Sequence, residues 1–129
     1  MSVDELIRWV HLTAATVWVG GMITIAALVP VLRKGGADIE LIRAAARRFG
    51  HVTWIAITIS VATGILQLFR FEYDLTAALA IKLILVSVSI TLAFVHQEIA
   101  KHTSPALRGA MEGVLLLLGL AILAAAVAI

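Results

Sequence analysis

The chain has 129 residues, 62% of them hydrophobic and 14% charged, with a formal net charge of +2 and no cysteine; its mean hydropathy is +1.08. Soluble domains hold about 45–50% apolar residues, so these figures exclude a soluble catalytic module. Lack of cysteine excludes disulfides, thiolate zinc sites, Cys-ligated iron–sulfur clusters and c-type haem attachment, and the small net charge, with basic residues gathered at the ends of apolar runs, argues against nucleic acid as a partner.

Four stretches are long and apolar enough to cross a bilayer, which takes about 20 residues. The first lies between Arg8 and Arg33, and its only titratable side chain is His11. We place span one at about 6–32. Pro30 falls in its last turn, and Gly35 and Gly36 end it. Asp4 and Glu5 precede it and its apolar run is too long for a cleaved signal, so it is expected to stay in the mature protein.

Asp38 is a cap for the second helix, which opens with an amphipathic stretch, 39–48, and continues through the bilayer as span two, about 40–69. Between Arg48 and Arg70 only His51 is titratable. Asp74 is the predicted cap of span three, about 75–100. Between Asp74 and Glu98 the run is broken only by Lys82 and His96. Ser104 followed by Pro105 is a helix start, opening span four at about 106–129. From Gly109 to the C-terminus the only ionisable side chain is Glu112.

The links are short, so consecutive helices are predicted to be antiparallel neighbours. The fold class is all-α: an integral membrane four-helix bundle, up-down-up-down, forming a single transmembrane domain over 1–129. No strand-like alternation supports a membrane barrel. Loops one and three hold Arg33, Lys34, Arg43, Arg47, Arg48, Lys101 and Arg108, whereas only Arg8 and Arg70 flank the other side. The positive-inside rule then places loops 33–48 and 101–108 in the cytoplasm and both termini outside, in a multi-pass protein of the plasma membrane. Trp9, Phe69, Phe71 and Tyr73 would form the outer aromatic belt, with Phe49 and Trp54 near the inner one.

Gly109 and Gly113 on span four, and Ala56, Ser60 and Gly64 on span two, form small-residue stripes that let helix backbones approach closely. Their ordinary use is packing inside one subunit; a homodimer face is the alternative.

Polar groups inside spans are costly and serve as functional hypotheses by default. Depth along the helices pairs His11 with Lys82 near the outer side and His51 with His96 near the inner side. Lys82 and His96 are separated by close to four helical turns, so they share a face. Trp18 shares the face of His11; His51, Trp54 and Thr58 share another. Glu112 stands one turn after Arg108 and is expected to pair with it, the alternative being a role near His96 or His51. Membrane imidazoles ligate haem iron, ligate copper or zinc, relay protons, or bond a neighbouring helix. Haem suits a four-helix bundle, and its propionates need cations near the membrane surface. His11 has Arg8 and Lys82 for this, and His51 has Arg47 and Arg48. Copper held by histidines alone is the runner-up, since no Met-rich tract exists and Cu(I) favours sulfur. No nucleophile elbow, phosphate loop or carboxylate pair supplies a catalytic residue.

Three segments carry a family resemblance. Span one reads WVHLTAATVWVGGM, span two begins RRFGHVTWIAITISVATGI, and span three contains AIKLILV. Their order resembles the copper-resistance protein D (CopD) family and the HemJ-type protoporphyrinogen oxidases, both small multi-span membrane proteins. The HemJ likeness implies b-type haem with an essential membrane histidine and lysine, at His11 and Lys82 here. The CopD likeness implies copper uptake. The expectation is a membrane b-type haem protein for electron transfer or haem-dependent oxidoreduction. Its cofactor-binding set is His11, Lys82, His51, His96, Arg47 and Arg48, with His11, His51 and His96 as metal ligands. A redox protein or quinone is the implied partner. The alternative is a permease for copper or another small cation.

Overall fold

A computed structural model describes all 129 residues. It contains four long helices and no strand: α1 (Val3–Lys34), α2 (Ile39–Arg70), α3 (Ala77–Ile99) and α4 (Pro105–Val127), with one turn of 3-10 helix, Ala100–His102, between the last two. The all-α class is as the sequence predicts. All four helices are long and apolar enough to cross a membrane, which makes the chain a multi-pass membrane protein. The shorter pair, at 23 residues each, reaches about 35 Å at 1.5 Å per residue, enough for a hydrocarbon core of about 30 Å.

Helix ends follow from local chemistry. The Ser2 hydroxyl accepts from the Glu5 amide and the Glu5 carboxylate accepts from the Ser2 amide, a reciprocal capping box that starts α1 ahead of the predicted boundary. Pro30 lies inside α1, which runs on to Lys34; Gly35 caps it, and Gly36 then takes φ +77°, a left-handed conformation that a glycine adopts without strain. Asp38 caps α2 by accepting from the Glu40 amide, and Ser104 caps α4 by accepting from the Leu107 amide, with Pro105 in the first turn. At α3 the expectation needs correction. Its cap is Thr76, whose hydroxyl accepts from the Leu79 amide, and the Asp74 carbonyl instead closes a turn onto the Thr76 amide. The helix therefore starts two residues later than predicted.

The chain divides into two compact units, Met1–Tyr73 and Asp74–Ile129. The first is an antiparallel hairpin of α1 and α2. Its open end is closed by the Asp4–Arg70 ion pair at 2.7 Å and by the Arg8 guanidinium, 4.7 Å above the Phe71 ring. Its buried side chains are Ile7, Ala14, Trp18 and Val19 from α1 with Ile42, Ala56, Ile57 and Ser60 from α2. Residues 7, 14 and 18 recur at helical spacing, and His11 falls on the same stripe. The second unit is the α3–α4 hairpin, in which Leu79 and Ser89 of α3 and Leu115, Gly119 and Ile122 of α4 are buried. Outward apolar residues such as Leu12, Ile55, Ile84 and Leu117 are exposed, as lipid-facing positions are.

Candidate functional site

His11 is held on α1 against α2. Its Nδ1 lies 2.9 Å from the Ser60 carbonyl oxygen and 3.0 Å from the Thr63 hydroxyl. A carbonyl oxygen carries no hydrogen, so Nδ1 must be the donor. In the neutral imidazole this places the lone pair on Nε2. The Thr63 hydroxyl donates to the Ile59 carbonyl at 2.7 Å, so its oxygen is an acceptor toward the imidazole. The ring packs on Gly64: a Cβ there would stand 3.2 Å from His11 Cε1 and 3.7 Å from Nδ1. A donated Nδ1–H to a carbonyl is the arrangement that orients a metal-binding histidine and makes its other nitrogen more basic.

His51 is exposed near the start of the apolar part of α2, and Arg47 and Arg48 beside it are exposed as well. Neither arginine forms an ion pair, whereas Arg43 pairs with Glu40 at 2.9 Å. The Thr58 hydroxyl, one turn beyond Trp54, donates to the Trp54 carbonyl, so it is satisfied within its own helix.

On α3, Lys82 is half-buried and His96 mostly buried. Ser89 stands midway between them, at 0% exposure. Seven-residue spacing is nearly two turns, so the three form one polar line along the helix, apart from Ser87 and Thr91, whose hydroxyls bond back to their own helix. Ser89 Oγ and His96 Nδ1 are the two buried side-chain polar atoms without a hydrogen-bond partner. His96 Nε2 faces Glu112 Oε1 on α4 at 3.7 Å, within ion-pair range and too long for a hydrogen bond. Glu112 therefore turns to His96, the alternative weighed for it. The expected Arg108–Glu112 pair is absent, because Arg108 instead donates to the Ala100 carbonyl at 3.1 Å, below the end of α3.

The structure thus brings His11 together with Ser60, Thr63 and Gly64, and His96 together with Glu112. His11 and His51 belong to the first hairpin, Lys82 and His96 to the second. Neither hairpin gathers three His, Asp or Glu side chains into a metal-binding cluster. Two open apolar grooves mark the surface. One, of about 380 Å³, runs along the first hairpin past Trp9, Thr13 and Ile59; the other, of about 410 Å³, lies along α3 past Ser87, Thr91 and Val95. No histidine lines either groove.

The residues that sequence reasoning missed are Thr63 and Ser89. Ser60 and Gly64 were visible only as small residues on a close-packing stripe. That stripe is where the imidazole sits, so the signal was present without its chemical meaning. Gly109 and Gly113 differ: a Cβ added at either would meet no atom within 4 Å.

No family model, no curated protein and no solved structure matches this chain.

Proposed function

We propose that the protein is an integral membrane b-type haem protein that carries electrons, with His11 as an axial ligand. One observation carries the reading: the Nδ1–H of His11 is donated to the Ser60 carbonyl, which leaves the ligating lone pair on Nε2 inside a membrane helix. The donor set fits haem iron. It offers imidazole, no thiolate, and cations at span ends for the propionates. At the other end of α2, His51 offers a second imidazole with Arg47 and Arg48 beside it as propionate contacts of its own. Lys82 and His96 are the haem-binding candidates of the second hairpin. Bound haem supplies one-electron chemistry, with a potential governed by its ligands and their hydrogen bonds. The chain's own part is to hold the imidazole in one tautomer, orient it and exclude water.

In this proposal loops 33–48 and 101–108 face the cytoplasm, both termini lie outside, and the membrane is the plasma membrane. Electrons pass to a redox protein or a quinone.

The test is a reduced-minus-oxidised optical spectrum of the detergent-purified protein after haem supplementation. The proposal expects α and Soret bands. Their absence, with copper uptake in cells expressing the chain, would overturn it in favour of a CopD-type permease.

A further inference from the structure

We propose that Ser60, Thr63 and Gly64 form a seat that fixes the tautomer and the donor strength of the His11 imidazole, with Thr63 as the adjustable positioning residue. The inference rests on the reading of His11 as an iron ligand and adds the residues that govern it.

The three parts of the seat differ in kind. The Ser60 carbonyl is fixed by its helix and cannot turn away. In the opposite tautomer the Nδ1 lone pair would meet this oxygen at 2.9 Å, lone pair against lone pair, so the carbonyl penalises that form. The Thr63 hydroxyl is mobile in principle, but its proton is turned to its own helix, toward the Ile59 carbonyl at 2.7 Å and the Ser60 carbonyl at 3.2 Å, the back-bond usual for a helical threonine. Its oxygen therefore offers Nδ1–H a second acceptor at 3.0 Å. Gly64 supplies the room. A Cβ there would crowd the ring edge at Cε1, 3.2 Å away, with Nδ1 in ordinary contact at 3.7 Å, so a side chain makes the imidazole give by a few tenths of an ångström and loosens its fit to the two acceptors. Two acceptors on one N–H draw electron density onto the opposite nitrogen, and they do so more strongly in a low-dielectric setting. The seat thus makes Nε2 a stronger donor to whatever it binds and favours the oxidised state of a bound iron.

The test uses the full-length chain in detergent micelles, labelled with ¹⁵N at histidine and free of haem, with the His11 signals assigned by difference against His11→Gln. The expected spectrum shows a protonated Nδ1 and an unprotonated Nε2. Thr63→Val keeps the β-branched shape and removes the acceptor; it should lower the ratio of the Nδ1–H to the Nε2–H form about two- to tenfold, the value of one modest hydrogen bond. Thr63→Ser should restore the ratio. Gly64→Ala should mix the tautomers; if that variant fails to fold, the Thr63 pair decides alone. A His11 found mainly as Nε2–H, or a ratio unmoved by Thr63→Val, would overturn the proposal. A second arm reconstitutes each variant with haem b and measures the midpoint potential. Thr63→Val should raise it and Thr63→Ser should leave it in place; an unmoved potential in Thr63→Val contradicts the electronic role. A chain with the expected tautomer and no haem spectrum would support the seat and sink the function proposed above. A haem spectrum with a mixed tautomer would do the reverse.

Discussion

The Nδ1–H of His11 points at the carbonyl oxygen of Ser60, 49 residues away in sequence, across 2.9 Å. Two helices have to pack in one register for this bond to form. It converts a histidine on an apolar stripe into an imidazole of defined tautomer, and it is what separates His11 from His51, which is exposed, and from His96, whose Nε2 faces a carboxylate.

Gly64 and Gly109 should respond oppositely to alanine. At Gly64 the new Cβ stands 3.2 Å from His11 Cε1, and the overpacking cost of about 1–3 kcal/mol exceeds the helical gain of about 0.5–1 kcal/mol from replacing glycine. At Gly109 it meets nothing, and replacing an interior helical glycine gains about 0.5–1 kcal/mol. Thermal unfolding in detergent checks both. Loss of stability, or of a dimer, in Gly109→Ala would mean that another chain covers the stripe.

Ser89→Ala should leave stability unchanged or raise it by about 1 kcal/mol or more. The hydroxyl is fully buried and unpartnered, and burying a polar group without a hydrogen bond costs about 1–3 kcal/mol in proteins. A clear loss of stability would contradict this and show that Oγ has a partner.

The Asp4–Arg70 pair joins residues 66 apart at the open end of the first hairpin, yet both side chains are about half exposed, at 51% and 44%. Exposed pairs contribute about 0–1 kcal/mol, so Asp4→Asn should cost no more than that, and the cost should shrink as salt screens the pair. A larger, salt-independent loss would show that the pair is shielded from water.

His96 Nε2 and Glu112 Oε1 stand 3.7 Å apart on neighbouring helices. A double-mutant cycle with His96→Gln and Glu112→Gln should give a favourable coupling, and with Glu112 52% exposed its size stays below about 1 kcal/mol. An unfavourable coupling, or one well above about 1 kcal/mol, would contradict this pairing.

Much of the architecture is readable from the chain. The four helices follow from uninterrupted apolar runs, and Asp38 and the Ser104–Pro105 pair mark two starts, because their side-chain and ring chemistry suits only the first turn. Asp74 misled for a local reason: Asp74 and Thr76 are both cap residues two positions apart, and only the backbone path decides which one reaches an amide. The site was less legible. Periodicity puts His11 on the buried stripe of α1, but the identity of the residue opposite depends on the sliding register of α2 against α1, which no single helix encodes. The 56–60–64 stripe announces close approach and says nothing of what approaches. Glu112 had one partner at helical distance, Arg108, and His96 or His51 on other helices as alternatives; it faces His96, while Arg108 takes the Ala100 carbonyl. Ser89 looked unremarkable among the apolar residues of α3 until its hydroxyl proved both buried and unpaired.

Haem binding by His11 is tested most directly by comparing the wild-type chain with His11→Ala, both purified in detergent after expression with added haem precursor, by haem content per chain and by the reduced-minus-oxidised spectrum. Axial ligation by His11 predicts a bound b-type haem in the wild type and loss of it, or of its low-spin bands, in His11→Ala, with helix content unchanged by circular dichroism. A colourless wild type, or a variant with the same haem content and spectrum as the wild type, would contradict it.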